Sequence, residues 1–205
     1  LPISSQHQVI LLWNGLGYNR RALAVHALAK KIVNDWNGSL PDDPNFLKTC
    51  KGIGPATAAS ITVFAFNRPE VFIETNIRSV FLHIFFHEQM AVADTLLLPL
   101  IACTLDRANP REWYYALMDY GVFVKKSYKN PNQKSKHYIK QSRFEGSDRQ
   151  IRGMIIQLLT QTTKIPIKDL LALDEQKDIR KILNDLFYEG FIGISHDSVC
   201  LLPPR

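Results

Sequence analysis

Apolar side chains recur at helical spacing along most of this chain. The clearest case is the stretch 19–36, where apolar residues form one face and lysines and arginines the other, as in an amphipathic helix. Those apolar positions are Leu23, Ala27, Leu28, Ile32 and Val33. Similar patterns, ended by glycine, asparagine or proline, predict further helices over 6–13, 45–49, 55–66, 76–86, 93–105 and 110–126. Only the triplet 71–73 has a strand-like composition, so this part of the chain is predicted to be all-α.

The pattern changes beyond residue 126. Residues 127–147 contain Pro131, and seven lysines and arginines lie between Lys125 and Arg143, which is typical of a basic linker. Helical patterns over 148–161, 167–173 and 176–189 precede two apolar runs joined by a polar turn, which predict a β-hairpin. Three helices and a hairpin are typical of a winged-helix-like α+β domain. We therefore predict a helical domain over 1–126, a basic linker over 127–146 and a winged-helix-like domain over 147–205.

Composition and charge narrow the range of possible functions. Of the 205 residues, 46% are hydrophobic and 21% charged, as in soluble globular proteins. Three widely spaced cysteines, Cys50, Cys103 and Cys200, argue against a disulfide framework and favour a reducing, intracellular compartment. No apolar run approaches the roughly 20 residues that cross a bilayer. The net charge of +6 favours an acidic partner, either nucleic acid or anionic lipid.

Lys51-Gly52-Ile53-Gly54 separates two predicted helices. The glycines allow a tight turn with bare backbone N–H groups, and the N-terminus of the following helix attracts anions. Ile53, between them, is expected to pack inward. These four residues predict a hairpin that binds the phosphates of DNA, and a plain joint between two helices with no ligand is the alternative.

Several ordered segments resemble the helix-hairpin-helix DNA glycosylase superfamily, which includes endonuclease III and the MutY adenine glycosylases. Besides the hairpin, Trp13-Asn14-Gly15-Leu16-Gly17-Tyr18 resembles the MutY-type W-x-G-L-G-Y signature. Glu74-Thr75-Asn76-Ile77-Arg78-Ser79-Val80 is similar to the family's Asp-x-Asn-Val-x-Arg-Val segment, and Leu117-Met118-Asp119-Tyr120-Gly121 to its M-D-L-G stretch. The resemblance covers roughly residues 8–124, favours the MutY branch and implies an all-α helix-hairpin-helix glycosylase domain.

By this resemblance Glu74 is the catalytic carboxylate. It is expected at the start of the 76–86 helix, with Thr75 or Asn76 as N-cap, where the helix dipole stabilises a negative charge. A fixed carboxylate can stabilise the oxocarbenium-like sugar that forms as the glycosidic bond breaks. The family usually has Asp here, and the extra methylene of Glu moves the charge by about a bond length. An acid at a helix start with no chemistry is the alternative.

The resemblance also implies contacts with DNA. Tyr18 corresponds to a tyrosine that the family wedges into the base stack, and packing against Trp13 is the alternative. In addition to the hairpin residues, Arg20 and Arg78 are predicted to bind DNA. Bifunctional relatives carry a nucleophilic lysine two positions beyond the second glycine, where Ala56 stands here, so Schiff-base chemistry is not expected.

Two features depart from the relatives. They hold an iron–sulfur cluster on cysteines directly after the M-D-L-G stretch, whereas residues 122–143 contain no cysteine, so neither a cluster nor another cofactor is expected. They also use an upstream glutamate to protonate the leaving purine, whereas the first acid here is Asp35. Since the chain begins at Leu1, we expect an N-terminal truncation, with loss of catalysis as the alternative.

The sequence thus predicts a monofunctional DNA N-glycosylase of base excision repair, which hydrolyses the N-glycosidic bond of a mispaired or damaged base, with adenine as the expected base. It would act as a monomer, away from membranes, on double-stranded DNA with a flipped-out base. The alternatives are a catalytically inactive helix-hairpin-helix DNA-binding protein and a winged-helix transcription regulator. In the C-terminal domain, Arg180 and Lys181 are candidate DNA contacts, or that domain serves protein contacts or packing.

Overall fold

Residues 1–202, which the computed structural model describes, fold mainly into helices. These are α1 (Gln6–Trp13), α2 (Arg20–Asp35), α3 (Pro44–Leu47), α4 (Pro55–Phe66), α5 (Thr75–Phe85), α6 (Asp94–Thr104), α7 (Pro110–Ser127), α8 (Asp148–Gln161), α9 (Ile167–Leu171) and α10 (Ile179–Tyr188). Ser5 begins α1 with a reciprocal capping box to Gln8. Proline begins α3, α4 and α7, a position where its missing N–H loses no helical hydrogen bond.

The strands form one small antiparallel sheet near the end of the described chain. They are β1 (Ile165–Pro166), β2 (Ile192–Ile194) and β3 (Ser198–Leu201), in the order β1-β3-β2. Ile165 faces Val199 across the first pair, and Ile192 faces Leu201 across the second. The predicted fold class, an all-α part with a small α+β part, is confirmed. The triplet 71–73, however, pairs with no strand in residues 1–202.

Backbone contacts divide the chain into two compact units, which are described separately. One contains residues 1–39 together with the residues from 141 onward, and the other contains residues 40–140. In the first unit, Ile10 of α1 and Leu23 of α2 pack in the same hydrophobic core as α8, α9 and α10.

These units do not follow the predicted boundaries at 126/127 and 146/147. A helical pattern shows which face of a helix is buried but not which other helix covers that face. The predicted division into a glycosylase domain, a linker and a winged-helix-like domain stays a prediction, and residues 203–205 of the last domain lie outside the described residues.

The core of the 40–140 unit surrounds α5. Besides Ser79, four apolar residues of this helix are buried, and the surrounding side chains come from α4, α6, α7 and the loop before α5. The buried apolar residues of this core are Ala59, Val63, Phe72, Ile77, Val80, Phe81, Leu82, Val92, Leu97, Ile101, Leu105 and Tyr114. The position of the residues that begin α5 is therefore fixed by packing within this unit.

The first part of the predicted linker is folded. α7 continues to Ser127, a 3-10 turn follows at Pro131–Lys134, and Asn132 is buried. Ser135 then forms an isolated β-bridge with Val92. Up to this point the stretch is packed against its own unit.

Among the helices of residues 1–202, none combines the length and apolar composition needed to cross a bilayer.

Candidate functional site

The two glycines of the hairpin between α3 and α4 differ in conformation. Gly52 has a φ of 87°, in the left-handed region that favours glycine. Gly54 is the N-cap of α4, with a φ of −85° and a ψ of 176° that other residues also adopt. A Cβ added to Gly54 would meet no atom within 4 Å. The backbone therefore needs glycine at position 52, whereas glycine at position 54 keeps the surface open.

Unpaired backbone N–H groups gather at the exposed side of this hairpin. Ile53 points inward, as predicted, with 9% of its surface exposed, and its N–H donates to the carbonyl of Cys50 at 3.1 Å. Five backbone N–H groups of exposed residues nearby find no acceptor in residues 1–202. They belong to Lys51, Gly52, Gly54, Ala56 and Thr57. Together with the exposed Lys51 and the positive end of α4, they form a surface suited to an anion.

Glu74 is the N-cap of α5 and bonds to the start of its own helix. Oε1 accepts hydrogen bonds from the N–H of Asn76 at 2.6 Å and from the N–H of Ile77 at 2.8 Å. Oε2 accepts no hydrogen bond from residues 1–202, and the side chain is partly exposed. The prediction that Thr75 or Asn76 caps the helix is wrong, because the Glu74 side chain folds back and reaches both N–H groups itself. One carboxylate oxygen is fixed and the other is available.

Tyr114 of α7 anchors the loop that leads into Glu74. Its hydroxyl accepts a hydrogen bond from the N–H of Phe72 at 3.2 Å and donates one to the carbonyl of Glu70 at 3.0 Å. The rings of Phe72 and Tyr114 also stack, with their centroids 4.2 Å apart. Burial raises the pKa of Tyr114 to about 12, so the hydroxyl keeps its proton and its role as donor. Sequence reasoning missed this residue, since nothing in the local pattern distinguishes a core tyrosine from an anchoring one.

Gly121 of α7 lies directly against the first turn of α5. A Cβ at this position would stand 2.4 Å from the carbonyl oxygen of Asn76, so the two helices can approach this closely only with glycine here. Glycine inside a helical pattern is a known sign of close packing, and that signal was present in the segment that ends at Gly121. The structural role of this glycine is thus to fix the start of α5.

Arg78 forms an ion pair with Asp94 of its own unit. Its Nε and Nη2 donate to Oδ1 and Oδ2 of Asp94, at 2.8 and 2.7 Å, and the two side chains are 17% and 23% exposed. The hydrogen bond from Arg78 outweighs the opposing effect of burial and holds the pKa of Asp94 below its ordinary value. This bidentate pair joins α5 to α6. The predicted contact of Arg78 with DNA would compete with it.

Tyr18 belongs to the other compact unit, where it stands in a turn after α1. It has a φ of 49° and is 68% exposed, and the guanidinium of Arg21 lies 4.6 Å from the centre of its ring. Trp13 donates from Nε1 to the carbonyl of Gly17 at 2.9 Å, so the tryptophan binds the backbone of the turn. The tyrosine ring therefore has an accessible face beside a cation.

Arg20, in the same unit, is paired with Glu189 at the end of α10, and Arg152 bonds to the same carboxylate. Burial raises the pKa of Glu189, but the hydrogen bonds and charges of both arginines outweigh it, so this pKa lies below its ordinary value. The Arg20 side chain is still 76% exposed. A phosphate group would have to compete with Glu189 for this guanidinium.

The residues after Gly121 do not fit an iron–sulfur cluster. Such a cluster is held mainly by cysteine thiolates, and residues 122–143 contain none. Within residues 1–202, no three side chains of His, Cys, Asp or Glu are grouped so that they could hold a metal ion.

Known proteins related to this chain point to one family. No family model matches it. An adenine DNA glycosylase of Mycolicibacterium smegmatis is 27% identical over 211 residues, which are 93% of this chain and 71% of that protein. An adenine DNA glycosylase of Mycobacterium tuberculosis is 38% identical over 77 residues, or 38% of this chain and 25% of that protein. One of Buchnera aphidicola is 27% identical over 60% of this chain and 36% of that protein. These similarities agree with the resemblance seen in the motifs: over most of its length the chain is similar to proteins named adenine DNA glycosylase.

Proposed function

We propose that this protein is a DNA N-glycosylase of base excision repair, which hydrolyses the bond between a base and its deoxyribose. The relatives named adenine DNA glycosylase make adenine the proposed base. The observation that carries the proposal is the Glu74 carboxylate, held by two backbone N–H groups with Oε2 still available. The proposed partner is double-stranded DNA, and the protein would act on it as a monomer inside the cell.

The hairpin is the proposed contact with the DNA backbone. A phosphate has oxygens that accept several hydrogen bonds at once, and the N–H groups of Gly52 and Gly54 are exposed and unpaired within residues 1–202. Lys51 adds a positive charge beside them. Such contacts position the duplex without reading its sequence, which suits an enzyme that must find a single altered base.

Glu74 is the proposed catalytic residue. A base can react only after it leaves the stack, and the bond between base and sugar then breaks with positive charge developing on the sugar. The carboxylate would stabilise this charge while a water molecule attacks the sugar carbon. The sugar keeps the oxygen and one proton of this water, and the other proton goes to the departing base. Because Oε1 is tied to α5, the charge is already in place before the substrate arrives, and this preorganisation is what lowers the barrier.

We further propose that the enzyme is monofunctional. A glycosylase that also cuts the strand forms a Schiff base through a lysine amine, and the equivalent position in the hairpin is the methyl group of Ala56. The product would then be an intact strand with an abasic site. Tyr18 is the proposed wedge in the base stack, since it is exposed beside Arg21. Arg20 and Arg78 are also proposed to contact DNA. To do so, each guanidinium must exchange its carboxylate partner, Glu189 or Asp94, for a phosphate of the DNA.

One observation favours a second candidate, a DNA-binding protein without catalysis. The bonds of Glu74 to Asn76 and Ile77 are those of an N-cap, and a cap stabilises a helix whether or not it has a chemical role. The same geometry is therefore consistent with a carboxylate that serves only the fold.

A single-turnover assay separates the two candidates. Duplexes with an A·G pair or a pair of adenine with oxidised guanine are incubated with excess protein, either unaltered or Glu74→Gln. We expect release of adenine by the unaltered protein and a rate about 10²- to 10³-fold lower for Glu74→Gln. Equal rates would reject Glu74 as catalytic. Tight binding with no base released by either protein would favour the non-catalytic candidate.

A further inference from the structure

A short segment after α7, residues 130–136, runs along α5 and binds it near both ends. Near the N-terminal end, Asn132 is 5% exposed and its Nδ2 donates to the carbonyl of Thr75 at 3.2 Å and to Oγ of Ser79. Asn130 supports this side chain, because its Oδ1 accepts from the backbone N–H of Asn132 at 3.1 Å and lies 3.3 Å from Nδ2. The Nδ2 group of Asn132 is thus held from both sides, while its buried Oδ1 has no hydrogen-bond partner within residues 1–202.

Just beyond the C-terminal end of α5, Lys134 binds two backbone carbonyls, those of the C-cap Phe86 and of His87. Its Nζ donates to the carbonyl of His87 at 2.6 Å and to that of Phe86 at 3.2 Å. Positive charge at a helix C-terminus is favourable because it faces the negative end of the dipole. The charge pattern placed this lysine in a basic linker, but its ammonium group binds the backbone that follows α5.

The 130–136 segment is itself held in place. The N–H of Val92 donates to the carbonyl of Lys134 at 2.9 Å, and the N–H of Lys136 donates to the carbonyl of Val92 at 2.9 Å. The segment is thus fixed independently of the contact that Asn132 makes.

Thr75 and Ser79 are the residues through which Asn132 reaches the catalytic end of the helix. Thr75 follows Glu74 directly, and its carbonyl also accepts from Oγ of Ser79 at 2.9 Å. Helix ends tend to fray, and any opening of the first turn would move the N–H groups that hold Oε1 of Glu74. A buried donor that binds the carbonyl of Thr75 resists that opening.

We propose that Asn132 is a positioning residue for Glu74, which acts by fixing the first turn of α5 through Thr75 and Ser79. The inference rests on the proposed function, because it gives Glu74 a catalytic role for Asn132 to support. Asn132 itself touches neither Glu74 nor the reacting atoms in this account. Its effect is on the rate of base excision at saturation and not on the binding of DNA.

Amide exchange tests the structural step without needing any activity. Asn132→Leu keeps the branched shape of the side chain, with bulkier methyl groups, and removes both N–H donors. Gln133→Ala is the matched control because Gln133 is exposed in the same segment. By NMR, we expect the amides of Asn76 and Ile77 to exchange about 10-fold faster in Asn132→Leu than in the control. Unchanged exchange at these two amides would overturn the proposal.

The catalytic step is tested by single-turnover rates in a double-mutant cycle with Glu74→Gln. We expect Asn132→Leu to lower the excision rate about 10- to 100-fold while the Kd for the duplex changes less than about twofold. In the Glu74→Gln background the same substitution should cause no further loss, since it acts through Glu74. Equal losses in both backgrounds would overturn the proposal, because a merely structural role acts independently of Glu74.

The outcomes separate this inference from the proposed function. If Glu74→Gln is slow but Asn132→Leu excises as fast as the control, the inference fails and the proposed function stands. If no base is released but exchange rises in Asn132→Leu, the proposed function fails and the structural positioning stands. Should Asn132→Leu not fold, Ser79→Ala removes one acceptor of Asn132 from the helix side. We expect about fivefold faster exchange at Ile77 from that single lost bond, and unchanged exchange would again overturn the inference.

Discussion

The starts of α4 and α5 are two helix N-termini in the same compact unit, and they are built in opposite ways. α4 begins at Gly54 with no side-chain cap, and its first N–H groups are exposed and unpaired within the described chain. α5 begins at Glu74, whose own carboxylate takes the N–H groups of Asn76 and Ile77. The start of α4 can donate hydrogen bonds to an anion from outside the chain. At the start of α5 the corresponding N–H groups already donate to a carboxylate of the chain itself.

This difference shows how one physical property serves two purposes. Each helix presents partial positive charge at its N-terminus. Where glycine leaves it bare, the charge is available to a phosphate. Where an acid from the chain occupies it, the charge holds a carboxylate in a fixed place, and the packing of α7 and the 130–136 segment keeps that place fixed. The proposed division is that α4 binds DNA and α5 carries the chemistry.

The largest expected effect comes from removing the charge at α5 while keeping its cap. Glu74→Gln retains an amide oxygen that can accept from the same N–H groups, whereas Glu74→Ala retains nothing. We expect both variants to lose about 10²- to 10³-fold in excision rate, but only Glu74→Ala to lose about 1 kcal/mol in the free energy of unfolding. Urea unfolding and single-turnover rates measure the two effects. If activity followed stability across the pair, the carboxylate would serve as a cap and no more.

The next largest effect is expected where α7 meets α5. Gly121→Ala places a methyl group 2.4 Å from the carbonyl oxygen of Asn76, so the helices must separate, at a cost of about 2–3 kcal/mol in the free energy of unfolding. Gly153→Ala is the control, since a Cβ there meets nothing within 4 Å in the middle of α8. That variant should be neutral or up to about 1 kcal/mol more stable. Equal stability of the two variants would remove Gly121 as a constraint on α5.

A smaller effect is expected at α4, mainly on DNA affinity. Gly54→Val adds a side chain in open space at a backbone conformation that valine adopts readily. Valine is a poorer N-cap than glycine, so we expect a loss of at most about 1 kcal/mol in the free energy of unfolding. The added side chain would cover the exposed N–H groups, and we expect the Kd for a duplex to rise about 10-fold, equal to about 1.4 kcal/mol. Fluorescence anisotropy at fixed salt measures this. An unchanged Kd would show that the hairpin does not bind the backbone.

The smallest effect concerns the pair that ties α5 to α6. Because the pKa of Asp94 is lowered in the folded protein, this pair contributes stability that is present above the ordinary pKa of 3.8 and lost as pH falls through the lowered value. We expect Asp94→Asn to cost about 1 kcal/mol at neutral pH and progressively less as pH falls below the ordinary pKa of 3.8. Unfolding measured across this acidic range checks the sign. A constant difference would mean that the Asp94 charge is not involved.

Much of the local structure was predictable because it depends on neighbouring residues. Pro55 favours the start of a helix and Asn67 its end, and α4 has the bounds predicted from them, 55–66. The inward packing of Ile53 follows likewise from an apolar residue between two exposed glycines. The strand-like triplet 71–73 was misleading, because Phe72 is apolar for burial against Tyr114 and not for pairing in a sheet.

The contacts that fix the site join residues far apart in sequence, and these could not be predicted. The composition of residues 127–146 is that of a linker, yet Asn132 reaches back 57 residues to Thr75. Whether a polar residue is buried depends on the partner that folding brings to it, and no pattern of charge or periodicity encodes that partner. The same reasoning applies to α1 and α2, whose apolar faces did not reveal that they share a core with α8, α9 and α10.

The central claim, that α4 binds and α5 reacts, is tested most directly by the excision rate at saturating protein. Gly54→Val and Glu74→Gln are titrated against one adenine-containing duplex in single-turnover conditions. The account predicts that Gly54→Val approaches the rate of the unaltered protein once enough is added, since only its affinity is reduced. Glu74→Gln should bind normally and remain about 10²- to 10³-fold slower at every concentration. Recovery of Glu74→Gln at saturation, or failure of Gly54→Val to recover, would contradict the account.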